Sequence, residues 1–148
     1  MPKLRHIALH VPDPEATADF YKRVFDMVEV GRTDGSLAEG IYLSDGDLNM
    51  AVLKFRNAEA ADRGDGMGTV MGLHHFGFWV ENADEVRRKL EEAGAHRHAS
   101  RAHTNTTSFF EEKWVGPDGV QFDISQGGWA GAVPPTEAVV PEKAAAAR

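Results

Sequence analysis

The chain has 148 residues, 42% hydrophobic and 26% charged, with a formal net charge of −7, enough for one compact domain with a core. The acidic balance argues against nucleic acid or an anionic membrane as the main partner, and no apolar run is long enough for a transmembrane helix. Cysteine is absent, which excludes disulfides, zinc–thiolate sites and a cysteine nucleophile; with no apolar leader, the expected location is the cytoplasm.

Residues 4–11 alternate, with Ile7, Leu9 and Val11 on one face and His6, Ala8 and His10 on the other, which predicts a strand buried on one side. Asp13-Pro14-Glu15 predicts a helix start, with Asp13 as N-cap and Pro14 in the first turn. That helix spaces Phe20, Val24 and Phe25 along one face. Residues 27–33, 38–44 and 47–55 read as strands separated by the turns Asp34-Gly35 and Asp45-Gly46. The polar, glycine-rich stretch 57–71 reads as a linker.

The opening pattern then returns. Leu73-His74-His75-Phe76-Gly77-Phe78-Trp79-Val80 repeats Leu4-Arg5-His6-Ile7-Ala8-Leu9-His10-Val11, and His75 stands 69 residues beyond His6. A repeat this long reads as a duplicated module, not a solenoid. Asn82 caps a second helix through Val86, Leu90 and Ala93, which Gly94 ends. Strands follow near 95–99, 107–115 and 119–126, and Pro117-Asp118-Gly119 pairs the last two as a hairpin. Beyond Gln126, Gly127-Gly128-Trp129 leads into a Pro/Ala-rich tail expected to be mobile, with Trp129 the exception that docks. The expectation is one α+β domain of two βαβββ modules, 3–55 and 72–126, joined by linker 56–71 and followed by tail 127–148.

Alternation assigns faces. His6 and His75 project away from their helices, while His74 falls in the helix-facing phase. In the last strand Val120, Phe122 and Ile124 go under the helix; Gln121, Asp123 and Ser125 share the face of His75. Two imidazoles and a carboxylate on one concave face suit Fe(II), Mn(II), Ni(II) or Zn(II), with positions open for water or substrate. His10 and Trp79 should face the same cup, His10 as an acid/base and Trp79 as a stacking wall for substrate, with small Ala8 and Gly77 leaving room. Glu111 and Lys113 share a face and read either as a proton-transfer couple or as a solvated edge. Gln121 is a candidate substrate contact. His96, His98 and His103 read as surface histidines, Asn105–Ser108 as a loop, and Arg87-Arg88-Lys89 as a solvated helix face.

The motifs Leu4-Arg5-His6-Ile7-Ala8-Leu9, Asp19-Phe20-Tyr21, Leu73-His74-His75-Phe76-Gly77-Phe78 and Gly116-Pro117-Asp118-Gly119-Val120-Gln121-Phe122-Asp123 resemble the vicinal oxygen chelate superfamily of glyoxalases, bleomycin-resistance proteins and extradiol dioxygenases. The resemblance spans residues 3–126. It implies paired βαβββ modules forming a cup-shaped mixed sheet around a divalent metal (Fe, Mn, Ni, Zn or Co), with ligands at His6, His75 and Asp123, where the family usually has Glu. Glyoxalase I-like members carry a further carboxylate where this chain has Ala51 or Asn49. Extradiol dioxygenases carry a tyrosine where it has Lys113. The implied activity is a metal-dependent enzyme on a small oxygen-bearing substrate, a glyoxalase-like lyase or isomerase. Alternatives are an extradiol-type ring-cleaving dioxygenase and a metal-free, bleomycin-resistance-like binding protein. A homodimer is the implied assembly.

Overall fold

Eight strands, each placed close to where the alternation puts it, form a single curved sheet. The structure, a computed structural model, describes residues 1–62, 70–98 and 111–137. His103, the segment 105–108 and residues 138–148 lie outside the described residues, as do the first residues of the strand expected over 107–115.

β1 (Lys3–His10) runs into α1 (Pro14–Phe25), where the Asp13 carboxylate accepts from the Ala16 amide at 3.1 Å and satisfies an otherwise orphaned donor. β2 (Val28–Asp34), β3 (Ala38–Ser44) and β4 (Asn49–Phe55) complete the first module. The expected linker contains a short helix, α2 (Ala58–Ala61), because the Asn57 side chain caps it by accepting from the Ala60 amide at 2.8 Å. β5 (Gly72–Trp79), α3 (Ala83–Glu92), β6 (His96–Arg97), β7 (Glu112–Val115) and β8 (Gln121–Ser125) form the second module. The sheet order is β2-β3-β4-β1-β5-β8-β7-β6. β1 and β4 are parallel, as are β5 and β8, and the two modules join where β1 meets β5 antiparallel. That order relates the modules by a pseudo-twofold axis between β1 and β5.

Each helix covers its own half of the sheet. Leu9, Val11, Met27, Ile41, Leu43 and Val52 pack beneath α1; Phe78, Val80, Trp114, Phe122 and Ile124 pack beneath Val86 and Leu90 of α3. Phe20, Val24 and Phe25 do not form the inward face of α1 but stand out into solvent. The inward face is Ala18 and Tyr21, because small Ala18 lets the helix approach the strands closely. Buried Glu112 accepts from Arg87 of α3 in a fork and also pairs with Arg97 at 3.1 Å. This anchors the Glu112/Trp114 face of β7 to α3 and sends Glu111 and Lys113 to the opposite face. Arg87 is therefore an anchor of the second module as well as part of a solvated face.

The segment after β8 departs from the expectation of a loose tail. It crosses the concave face to reach the first module. There Asn49 donates to the Ala130 carbonyl at 2.9 Å, Ser44 to that of Gly131 at 2.7 Å, and the Val133 amide to that of Asp47 at 3.1 Å. Among the described residues no helix is long and apolar enough to cross a membrane.

Candidate metal centre

The registers of β4, β1, β5, β8 and β7 place Asn49, His6, Gly77, Asp123 and Lys113 side by side across the sheet. His6, His75 and Asp123 are buried on this concave face. His6 Nε2 lies 3.2 Å from His75 Nε2, and His75 Nε2 lies 3.3 Å from Asp123 Oδ2. Glu111 Oε1 lies 3.8 Å from His6 Nε2. Donor atoms of His6, His75 and Glu111 all lie within 4.8 Å of one another. Glu111, read from sequence either as part of a proton-transfer couple or as a solvated edge, is thus also a candidate third ligand. Asp123 meets His75 but is committed as well to Lys113, whose Nζ is 3.3 and 3.4 Å from its two oxygens.

Hydrogen bonds fix the tautomers of both imidazoles. Asn49 donates through Nδ2 to Ala130, so its Oδ1 is the atom that faces His6 Nδ1 at 2.8 Å and must accept from it. His6 therefore presents an Nε2 lone pair to the centre. The Ala61 carbonyl, 2.6 Å from His74 Nε2, can only accept. With His74 neutral, its Nδ1 accepts from His75 Nδ1 at 2.7 Å, so His75 also presents its Nε2 lone pair. His74 does not face α3 as the alternation suggested. The β1–β5 register shifts between Ala8 and Leu9, and this bulge brings His74 beside His75, stacked on Phe55.

Acceptors facing acceptors in a buried site call for a cation. Two metal–nitrogen bonds of about 2.1 Å meeting near 100° place cis nitrogens about 3.2 Å apart, matching the His6–His75 separation. The electrostatics agree. Burial pulls His6 down to about 4, keeping it neutral as a ligand must be. Burial and then the Asp123 charge push Glu111 up to about 7. Burial would lower Lys113, but Asp123 and Glu111 outweigh it and hold it above its ordinary value. The residues present fit a divalent ion.

The other expected contacts divide. Gln121 shares this face, and its buried Nε2 has no hydrogen-bond partner among the described residues, which suits a substrate oxygen. His10 is buried on the same face but lies outside the convergent group, edge-on to Phe55 with Nδ1 3.2 Å from the Val70 carbonyl. Trp79 lies away from the convergent group. β1 and β5 are antiparallel, so positions matched in the repeat diverge to opposite rims. Its indole donates to the Gln126 carbonyl at 3.1 Å, and Gly128 lies against its ring. His98 Nδ1 lies 3.6 Å from Asp62, whereas His96 is exposed. Pattern reading left two contributors without a role: Asn49, which sets the His6 tautomer, and Trp129, which stacks on His6 with ring centroids 4.8 Å apart and 3° between planes. Trp129 carried a sequence signal, a large aromatic in an otherwise small-residue tail; Asn49 carried one in the resemblance, as one of two positions matching the further carboxylate of glyoxalase I-like members.

Comparison with known proteins places this geometry. The sequence model of the Glyoxalase/Bleomycin resistance protein/Dioxygenase superfamily matches residues 3–124. No curated protein matches the chain. Among solved structures, the chain is similar to the hypothetical protein BH1468 from Bacillus halodurans, with a TM-score of 0.68 and 18% identity over 84% of this chain and 93% of that one. It is similar to a variant methylmalonyl-CoA epimerase from Streptomyces coelicolor in complex with 2-nitronate-propionyl-CoA, with a TM-score of 0.66, 16% identity, and coverage of 82% and 94%. Methylmalonyl-CoA epimerase from Mycobacterium tuberculosis gives a TM-score of 0.63 and 17% identity over 82% and 85%. At these identities the likeness is one of fold.

Proposed function

The chain belongs to the glyoxalase/bleomycin resistance protein/dioxygenase superfamily, and from that premise we propose a metal-dependent enzyme of lyase or isomerase type, acting on a small substrate through its oxygen atoms. The observation that supports this most is the convergence of His6, His75 and Glu111 with both imidazole lone pairs turned to one point. His6, His75 and Glu111 would hold the ion, with Asp123 beside them. When bound, the ion supplies a Lewis acid for a substrate oxygen.

The chain's own residues supply the remaining chemistry. Glu111 takes a proton at Oε2, since Oε1 faces His6 and accepts from Trp129. Lys113, held charged by Asp123 and Glu111, favours negative charge developing on the substrate. The Gln121 amide donates to a substrate oxygen. The isomerase branch draws support from the epimerases that share the fold.

Metal analysis by mass spectrometry on the wild type and the His6→Ala/His75→Ala variant tests the centre. Proton exchange in D2O, followed by NMR on small 2-oxo acids and thioesters, tests the chemistry. The expected result is near-stoichiometric metal, lost in the variant, with metal-dependent loss of the proton next to the carbonyl. No metal in either chain after incubation with Fe(II), Mn(II), Ni(II) and Zn(II) would sink the metal reading. It would leave a metal-free binding protein, the reading favoured by the Lys113 ammonium already lying against Asp123. A homodimer draws support from Phe20, Val24, Phe25 and Val28, exposed together at one end of the first module; sedimentation velocity showing only monomer would dismiss it.

A further inference from the structure

Resting on the metal reading above, we propose that Trp129 is a positioning residue of the metal centre, brought to it by the segment that follows β8. Trp129 is buried although it belongs to neither module. Its ring covers His6 face to face and fixes the plane in which the Nε2 lone pair points. Its Nε1–H donates to Glu111 Oε1 at 2.6 Å and fixes the carboxylate that faces His6. One residue therefore orients two of the three convergent ligands.

The fold makes room for this ring. Gly77 sits beside His6 in the sheet, and a Cβ there would come 2.8 Å from the Trp129 ring and 3.2 Å from His6 Cβ. Gly128 adopts φ 69° and lies flat on Trp79, where a Cβ would stand 2.3 Å from that ring. The Gly128 amide donates to Ser125 Oγ at 3.2 Å, so the turn is held at β8. Beyond Trp129, the Ala130 carbonyl accepts from Asn49 Nδ2, which turns Asn49 Oδ1 toward His6. The same short segment thus sets the His6 plane, the His6 tautomer and the Glu111 carboxylate. The two modules supply the donor atoms; the segment behind them supplies their orientation. Partners that orient metal ligands change affinity by about 10- to 100-fold.

The test is a Co(II) titration read by visible absorption, run on the wild type, Trp129→Phe, Glu111→Ala and the double variant, with unfolding of the metal-free chains measured alongside. Trp129→Phe keeps a ring over His6 and removes only the donor to Glu111. Trp129→Tyr takes its place if the Phe chain does not fold. The expected result is Co(II) binding weakened about 10-fold or more with an altered spectrum, and no further weakening when Trp129→Phe is added to Glu111→Ala, because the indole acts through that carboxylate. Wild-type affinity and spectrum in Trp129→Phe would overturn the proposal. So would a loss that simply adds to that of Glu111→Ala, since that is what a space-filling role gives. A wild type that takes up no Co(II) would overturn the metal reading and this proposal with it.

Discussion

Glu111 and His6 carry opposite pH signatures, and the difference between them is measurable in metal-free protein. His6 titrates near 4 in the fold against 6.5 outside it. Its contribution is present above 6.5 and is lost as pH falls toward 4. Glu111 titrates near 7 against 4.5, so the fold favours its protonated form. That contribution is complete below 4.5 and is lost as pH rises through 7. Glu111→Gln keeps the neutral hydrogen-bonding shape and removes the titration. In EDTA, the variant should gain on the wild type as pH rises from about 5 to about 8, approaching about 3 kcal/mol. Thermal unfolding across that range checks it, and parallel curves for the two chains would contradict it.

At the scale of elements, β7 turns its even and odd positions to opposite chemistries. Glu112 and Trp114 face α3, while Glu111 and Lys113 face the cup, so whatever fixes the strand's face also fixes the site. The Arg87–Glu112 fork does this. Removing one partner of a buried ion pair strands the other. Here Arg87 is partly exposed and Arg97 remains as a second partner, which reduces the cost. Arg87→Ala should lose about 2 kcal/mol of stability by urea unfolding and loosen Glu111 and Lys113 with it. The β1–β5 bulge acts at the same scale. One shifted register position brings His74 beside His75 and sets the tautomer of a ligand.

For the whole molecule, the centre is a cross-link between modules. His6 comes from β1, His75 from β5, Glu111 from the residue just before β7, and Trp129 from a segment hydrogen-bonded to the first module. An ion held here binds only the assembled sheet. A free Mn(II) concentration 100-fold above the dissociation constant should therefore stabilise the chain by about 2.7 kcal/mol. It should raise one unfolding transition, not split it in two. Calorimetry with and without Mn(II) reads both; two separating transitions would mean that the ion ties down one module alone.

The sequence by itself determined the duplicated βαβββ plan, the helix caps at Asp13 and Asn82, and the side of the sheet on which His6, His75, Gln121 and Asp123 lie. These are local properties: periods of two and 3.6 residues and turn chemistry show in any short window. It also placed Glu111 and Lys113 together, without deciding which face they take, because strand alternation is symmetric until something packs against one side. Tertiary structure decided the rest. Arg87 chose the face of β7, the bulge moved His74 from the helix side to His75, and antiparallel pairing sent Trp79 and His10 to opposite rims. The outward turn of Phe20 and Phe25 was hidden because the helix pattern shows an apolar row without showing that Ala18 is the closer fit. Trp129 was legible as a residue that docks but not as a partner of Glu111 and His6. That contact joins segments far apart in sequence, and only strand register and chain path bring them within hydrogen-bonding distance.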